Sequence, residues 1–440
     1  MITPSNVHET LSKHQLVDGF PFVVDIEKSH GAWLHDAKTG EDYLDTFMSF
    51  ASWPVGYNHP MMHEPEFVSE LTRAASCNIA NADLYTVEMA KFVDAFGTKV
   101  SPPEYTHHFW IAGGSLAVEN AMKTAFDWKA RKLGRTDFAD DVNDLVILHF
   151  KQAFHGRSGY TMSVTNTVPD KIGLFPKFDW PRVHNPAIVF DNEGNVANDI
   201  EAEEAKAIAD IEAAYAKHGN KIAGILIETM QGEGGDNHFR GEFFAKLRQF
   251  ADERESLLIF DEIQTGFYGT GKTWMWQHFD VKPDVVSFGK KSQICGIYAN
   301  SRVDEVADNV FVKSSRINST WGGNLVDMVR SRRFIEIIEA EDLCGNIATM
   351  GERAISGLRS IAKDSGAFSN VRGRGSLIAF SFDSVEPRNA MIKAMMDKKA
   401  LVLPCGDTSV RFRLPLIVGE KEVDELLSRV EACVPAVSSA

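Results

Sequence analysis

The stretch Leu257–Lys290, LLIFDEIQTGFYGTGKTWMWQHFDVKPDVVSFGK, contains two short, mainly apolar runs that each lead to a charged residue. Leu257–Phe260 stops at Asp261, and Val285–Phe288 leads through one glycine to Lys290. Runs that are apolar on both faces are typical of buried parallel strands. Ligands of open α/β sheets lie beyond the carboxyl ends of such strands, so the pattern predicts that Asp261 and Lys290 face one crevice.

An amine and a carboxylate at one ligand point to a particular cofactor, pyridoxal phosphate. Its aldehyde forms a Schiff base with a lysine, and a carboxylate keeps its ring nitrogen protonated, so that the ring acts as an electron sink. Taken singly, Asp261 is as well explained as a helix cap and Lys290 as a solvated lysine. Their joint position at two strand ends favours the cofactor hypothesis.

At these residues the sequence resembles the class III (ω-amino acid) aminotransferases. The family pattern Asp-Glu-hydrophobic-Gln, followed by Asp-hydrophobic-hydrophobic-x-x-Gly-Lys, matches Asp261–Gln264 and Asp284–Lys290. Similarity to the lysine-specific branch of the family extends over most of the chain. It includes GGSLAVENAMKTAFDWKAR (113–131), FHGRSGYTMSVTNT (154–167), QGEGGDNHFR (231–240) and NSTWGGN (318–324).

The resemblance implies a fold and a division into domains. We expect an α/β protein of fold type I, with a mixed, mostly parallel seven-stranded sheet in a large domain and a smaller α+β domain. Residues 59–325 are predicted to form the large cofactor-binding domain. Residues 1–58 and 326–440 are predicted to form the small domain together.

Local patterns at the two ends of the chain agree with a small α+β domain. The turn Asp36–Gly40 predicts a hairpin. Ser376–Phe382 and Ser409–Val418 are typical of strands, and the residues after Glu420 are typical of a closing helix.

The resemblance also implies a reaction. The ε-amino group of L-lysine is expected to pass to 2-oxoglutarate, giving L-2-aminoadipate 6-semialdehyde, which cyclises to piperideine-6-carboxylate, and L-glutamate. Ornithine and 4-aminobutyrate aminotransferases share nearly all of these motifs, so they stay open as alternatives. Other pyridoxal enzymes of the same fold stay open as well.

The lysine that carries the cofactor has a rival next to it. Many family members have a small Gly-Gly pair soon after the lysine, whereas here Lys290 is followed by Lys291. The family lysine directly follows a small residue, which is Gly289 in this chain, so Lys290 is the predicted attachment site. Consecutive side chains of an extended segment point to opposite sides, so only one of the two lysines would face the crevice.

A glycine turn between a predicted strand, His108–Ala112, and a predicted helix is a candidate phosphate site. A turn that opens a helix exposes backbone N–H groups, which suit an anion, although an ordinary βα turn has the same pattern. The resemblance assigns the phosphate to Gly114 and Ser115. Gly113–Ala117 also approaches the G-x-S-x-G turn of α/β-hydrolases with alanine in place of the last glycine, so a serine hydrolase using Ser115 is a weaker alternative.

The resemblance assigns three further residues to the cofactor. Phe154 is expected to stack on the pyridine ring, although core packing would explain an aromatic residue equally well. Gln264 is expected to bond the ring oxygen. Thr320 matches a threonine that binds the phosphate in the neighbouring subunit, which implies a homodimer with shared active sites.

The resemblance also implies that two arginines and one glutamate bind the substrates. Arg157 is expected to hold a substrate carboxylate, although a surface ion pair is the commoner role of an arginine. Arg411 matches the arginine that binds the α-carboxylate of the keto acid. Glu233, on a glycine-rich loop, is expected to pair with Arg411 while lysine reacts and to move away for 2-oxoglutarate.

Composition and charge exclude several classes of partner. The chain has 440 residues and a net charge of −15, which argues against nucleic acid or an anionic membrane as its main partner. The five cysteines are scattered without metal-binding spacing, so we expect reduced thiols and no metal site. The sequence shows neither a secretory signal nor an apolar run of about 20 residues, which predicts a cytoplasmic protein.

Overall fold

The structure is a computed structural model that describes residues 1–135 and 141–438. The strands are β1 Trp33–His35, β2 Asp42–Asp45, β3 His107–Ile111, β4 Val146–Phe150, β5 Arg182–Val183, β6 Ile222–Glu228, β7 Leu257–Asp261, β8 Val285–Phe288, β9 Cys295–Ala299, β10 Ser369–Arg374, β11 Leu377–Ser381, β12 Ala400–Leu401, β13 Leu403–Cys405 and β14 Ser409–Arg413.

Helices cover much of the remaining chain. The α-helices are α1 Val7–Ser12, α2 Met48–Ala51, α3 Pro65–Ser76, α4 Val87–Ala95, α5 Gly114–Lys132, α6 Gly159–Val164, α7 Pro169–Ile172, α8 Ile200–His218, α9 Gly241–Glu253, α10 Leu325–Ala340, α11 Leu343–Ser365, α12 Val385–Asp397 and α13 Glu420–Ser438. A π-helical turn covers Phe96–Val100, and 3-10 turns cover Pro4–Asn6, Pro60–His63, Gly219–Lys221, Met275–His278, Lys290–Ser292 and Ser301–Glu305.

A seven-stranded sheet forms the centre of the molecule, in the order β3-β9-β8-β7-β6-β4-β5. Strand β9 runs antiparallel to both of its neighbours, and the other pairs are parallel. The predicted α/β class with a mixed, mostly parallel seven-stranded sheet is therefore confirmed. Six of the seven strands run in one direction, and β9 alone opposes them, so the carboxyl ends of the six meet at one edge of the sheet.

The central strands are buried because helices cover them. Every residue of β6 and β7 is buried. Helix α5 contacts β6, β8 and β9, and α9 contacts β6 and β7. On α9, the ring of Phe244 meets the ring of Phe260 edge-on, with 5.2 Å between the centroids. This cover explains why the strands are continuous apolar runs instead of alternating ones.

Two smaller sheets lie outside the central one. One has the order β1-β2-β12 and pairs the predicted N-terminal hairpin with a strand from the C-terminal part of the chain. The other has the order β10-β11-β14-β13. The domain limits drawn at residues 58/59 and 325/326 stay predictions.

Strand β14 is shorter than the sequence pattern predicts. It ends at Arg413, whereas the pattern extended to Val418. Leu414 N donates to Ser376 O, and Pro415 follows without an N–H group to continue the ladder. Among the described residues, no helix is long and apolar enough to cross a membrane.

Candidate active site

A cavity of about 730 Å³ opens at the carboxyl edge of the central sheet. Eight of the ten site residues predicted from the sequence line it: Gly114, Ser115, Phe154, Arg157, Glu233, Asp261, Gln264 and Lys290. Arg411 lies just behind this wall, where its Nη1 approaches Gln264 Oε1 at 3.5 Å. Thr320 is exposed and lies outside the lining of the cavity.

Asp261 ends β7 with its carboxylate buried and held on both oxygens. Oδ1 accepts a hydrogen bond from Ile263 N at 3.0 Å, and Oδ2 lies 2.7 Å from Nδ1 of His155. His155 is itself fixed, because its backbone N–H donates to Thr165 Oγ1 at 2.9 Å. The carboxylate is thus oriented before any ligand arrives.

Lys290 is the amine of the cavity. Burial, aided by Arg411 and Arg413, lowers the pKa of its ammonium from 10.5 to about 8, although Asp261 and Glu228 act in the opposite direction. At pH 7, about a tenth of such an amine is neutral, compared with about one part in 3,000 at the ordinary pKa. Among the described residues, Lys290 Nζ has no hydrogen-bond partner, so the amine is free to react.

Lys291 points away from the cavity. Its Nζ donates to the backbone oxygen of Gln264. Its side chain packs against Gly269 so closely that a Cβ added to this glycine would lie 2.4 Å from Lys291 Cε. The two lysines diverge for a reason that differs from the predicted one. Strand β8 ends at Phe288, and Lys290 begins a 3-10 turn with a left-handed φ of 53° instead of continuing an extended segment.

Glu228 is a buried carboxyl group that the sequence analysis did not assign to the site. It ends β6 beside Asp261, and the two residues are paired in register. Its two oxygens accept hydrogen bonds from Phe154 N at 2.9 Å and Gly232 N at 3.0 Å. Burial, with a contribution from Asp261, raises the pKa of Glu228 to about 7. Glu228 therefore fixes two loops on either side of the cavity.

The predicted phosphate turn forms a polar cradle. Gly113 has a φ of 101°, which a residue with a side chain rarely adopts, and α5 begins at Gly114, where the first N–H groups of a helix have no acceptor within the helix itself. Ser115 Oγ lies 2.5 Å from Ser158 Oγ and 2.7 Å from Thr161 Oγ1. Hydroxyl groups at the positive end of a helix suit a phosphate.

Gln264 and the arginines of β14 form one connected group. Gln264 Oε1 accepts from Arg413 Nε at 3.1 Å. Arg413 also forms a fully buried ion pair with Asp236, with contacts of 2.7 and 2.5 Å. Strand β14 thereby reaches from a small sheet into the wall of the cavity.

Glu233 does not contact Arg411 in this structure. Its Oε1 accepts hydrogen bonds from Thr167 Oγ1 at 2.7 Å and from Lys171 Nζ at 2.5 Å. The predicted pairing of Glu233 with Arg411 is therefore replaced here by a pairing with Lys171, a residue that the sequence analysis did not assign. Within residues 1–135 and 141–438, no group of three His, Cys, Asp or Glu is placed to hold a metal ion.

Comparisons with known proteins identify the family of the chain. A family model described as aminotransferase class-III matches residues 16–434. The L-lysine-epsilon aminotransferase of Mycobacterium tuberculosis is 46% identical over 438 residues, which cover 99% of this chain and 97% of that protein. The enzyme of the same name from Amycolatopsis lactamdurans is 45% identical over 430 residues, which cover 97% and 95%. A solved structure of lysine aminotransferase from M. tuberculosis has a TM-score of 0.94 at 46% identity and covers 99% of this chain and 100% of that chain.

The first prediction concerns the choice between the adjacent lysines. We expect borohydride reduction of the pyridoxal phosphate-loaded protein, followed by peptide mapping, to place the pyridoxyl group on Lys290, because of the two adjacent lysines Lys290 is the one that lines the cavity. Lys290→Ala should retain no reduced cofactor, and the matched variant Lys291→Met should retain it. A pyridoxyl group on Lys291 would overturn the assignment.

The second prediction concerns pH. Because only the neutral amine is a nucleophile, the rate at which the apoprotein attaches pyridoxal phosphate should rise with pH through about 8 and level off above it. Arg411→Met removes a cation that lowers the pKa of Lys290, so it should move this profile to higher pH. Stopped-flow absorbance measures both profiles. A wild-type rate that still climbs beyond pH 10 would contradict the lowered pKa.

Proposed function

The chain belongs to the class III aminotransferase family, and on this basis we propose that it transfers the ε-amino group of L-lysine to 2-oxoglutarate, using pyridoxal phosphate. The products are L-2-aminoadipate 6-semialdehyde and L-glutamate. The observation that carries the proposal is the meeting of the reactive amine of Lys290 and the oriented carboxylate of Asp261 in one cavity. The similarity to lysine aminotransferases over nearly the whole chain supports the choice of donor.

The residues of the cavity fit pyridoxal phosphate. Lys290 supplies an amine for covalent attachment, and Asp261 supplies a carboxylate for the ring nitrogen. The turn at Gly114 and Ser115 supplies amide and hydroxyl donors for the phosphate, and Phe154 supplies an aromatic face. When bound, the cofactor provides the electron sink that stabilises negative charge on the carbon bearing the amino group.

The chain itself performs the proton transfers. Lys290 would hold the cofactor through its Nζ, and the same amine would serve as the base that takes the proton from the substrate carbon and as the acid that gives it back. A pKa of about 8 suits this task, because both protonation states of the amine are populated near neutral pH. His155 holds the Asp261 carboxylate, which would pair with the ring nitrogen of the bound cofactor.

Two guanidinium groups suit the two substrates. Arg157 is exposed at the cavity wall and is proposed to hold the carboxylate far from the reacting carbon. Arg411 is buried behind Gln264 and is proposed to hold the second carboxylate of 2-oxoglutarate. Glu233 is proposed to pair with Arg411 during the lysine half-reaction, since lysine brings only one carboxylate.

The hydrolase alternative is not supported by the surroundings of Ser115. Its hydroxyl contacts the hydroxyl groups of Ser158 and Thr161 and accepts a hydrogen bond from Ser158 N at 3.2 Å, and none of these groups is a base that could activate a serine. Ornithine and 4-aminobutyrate remain the alternative amine donors, and the experiment below is designed to separate them from lysine.

We also propose a cytoplasmic homodimer with shared active sites. The five cysteines are all free thiols, which suits a reducing compartment. Thr320 lies outside the cavity of its own chain, as expected for a residue that serves the cavity of a neighbouring subunit. The net charge of −15 supports small-molecule substrates over nucleic acid.

The third prediction is the order of amine donors. With 2-oxoglutarate as acceptor, we expect L-lysine to give a kcat/KM at least about tenfold above L-ornithine and 4-aminobutyrate, which corresponds to about 1.4 kcal/mol of transition-state binding. Glutamate formation measures all three donors in one assay. A preference for ornithine or 4-aminobutyrate would reject lysine as the donor and leave aminotransfer intact.

The fourth prediction tests the shared site. Thr320→Ala should weaken cofactor retention, and Lys290→Ala should abolish activity. If Thr320 acts across the interface, both defects fall into one site of a mixed dimer, and the other site is intact. At limiting pyridoxal phosphate, mixed dimers should therefore exceed the mean of the two parents. The absence of any gain, with mixed dimers shown to form, would count against sharing.

A further inference from the structure

The carboxylate of Glu233 is held by two side chains that belong to another segment. Lys171 lies on α7, and Thr167 precedes this helix. Besides its contact with Glu233, Lys171 Nζ lies 5.5 Å from the centroid of the Phe154 ring. We propose that Thr167 and Lys171 form a second seat for Glu233, which its carboxylate occupies while a dicarboxylic acid binds to Arg411. The inference rests on the proposed function and adds the residues that hold the displaced glutamate.

Arg411 is ready for an external carboxylate in this state. Its guanidinium is buried, and among the described residues its Nε has no hydrogen-bond partner. Its contact with Gln264 Oε1 is long, at 3.5 Å. A buried cation with an unused donor strongly favours a carboxylate that can pair with it. With Glu233 on Lys171, a substrate carboxylate can fill this place.

The backbone of the loop that carries Glu233 is held by hydrogen bonds. We therefore expect only the Glu233 side chain to move between Lys171 and Arg411. Gly232 N donates to Glu228 Oε2 at 3.0 Å, and Gly406 N donates to Glu233 O at 2.8 Å. Further along the loop, Arg372 Nε donates to Asp236 O at 3.1 Å. Because these contacts hold the backbone, we expect the exchange to proceed by rotation about the side-chain torsions of Glu233.

The number of charges explains why a second seat is needed. With 2-oxoglutarate bound, two substrate carboxylates and Glu233 balance three cations: Arg157, Arg411 and Lys171. With lysine bound, one substrate carboxylate and Glu233 pair with the two arginines, and Lys171 and the α-ammonium of the substrate are left without a carboxylate from this set. Its side chain is 33% exposed and lies near an aromatic ring, so water and Phe154 can accommodate the unpaired ammonium. Without Lys171, Glu233 would lose the cation that its carboxylate contacts in this structure.

The test uses the holoenzyme and glutarate, a dicarboxylate that lacks a keto group and cannot react. Lys171→Met keeps the length of the side chain and removes its charge, so Glu233 should stay on Arg411 and compete with glutarate. We expect the Kd of glutarate, measured by its effect on the cofactor absorption spectrum, to rise about tenfold or more. Thr167→Val should act in the same direction with a smaller effect. Lys177→Met, which removes an exposed ammonium in the same segment, is the matched control and should leave the Kd within about twofold of wild type.

The same substitution in a Glu233→Ala variant distinguishes an effect on Glu233 from a direct contact between Lys171 and glutarate. In Glu233→Ala, no glutamate competes for Arg411, so adding Lys171→Met should leave the Kd of glutarate unchanged. An equal loss of glutarate affinity in both backgrounds, or an equal loss in Lys177→Met, would overturn the proposal of a second seat. In a crystal structure of the wild-type holoenzyme with glutarate, the Glu233 carboxylate should lie within 4 Å of Lys171 Nζ, and its presence on Arg411 would also overturn the proposal. Because glutarate binding does not require an amine donor, a failure of lysine as donor would appear only in the donor assay.

Discussion

The structure depends on charged side chains that are held out of water at one edge of a parallel sheet. Glu228, Asp261 and Lys290 follow three adjacent strands, and burial moves the pKa of Glu228 and Lys290 to about 7 and about 8. Such shifts require a site with little water, which the apolar strands and their helices provide. The same burial makes an unpaired charge costly, so each carboxylate is tied to a histidine or to backbone N–H groups. The burial that shifts these pKa values is thus also the reason why the fold must pair the buried carboxylates.

The parts of the site that follow strand ends could be predicted from the sequence. Asp261 and Lys290 were found because an apolar run that stops at a charge marks a strand end. Glu228 ends the run Ile222–Ile227 in the same way, so the same rule, applied once more, would have found it. His155 and Lys171 carried no such signal. His155 lies 106 positions from Asp261, and only the packing of separate loops against the sheet brings the two together.

The small sheet shapes the cavity from outside, which a strand-end rule cannot show. Arg413, on β14, forms a fully buried ion pair with Asp236, which lies in the loop that carries Glu233. Arg372, on the neighbouring part of the same sheet, donates to the carbonyl of Asp236. Losing one partner of such a pair leaves a buried charge uncompensated, at a cost of about 3–5 kcal/mol. The glycine-rich loop is therefore held at Asp236 by two arginines of the small sheet.

The adjacent lysines have different roles because their side chains point in different directions. Burial lowers the pKa of both, to about 8 for Lys290 and about 7 for Lys291, so acidity alone does not separate them. The two lysines differ in their surroundings. Lys291 Nζ donates a hydrogen bond to the backbone carbonyl of Gln264, whereas Lys290 Nζ faces the cavity. Gln264 in turn accepts from Arg413 through its side chain. Lys291 thus holds in place a residue that connects the cavity to β14, and the left-handed turn at Lys290 is the local feature that allows neighbours in the chain to face opposite ways.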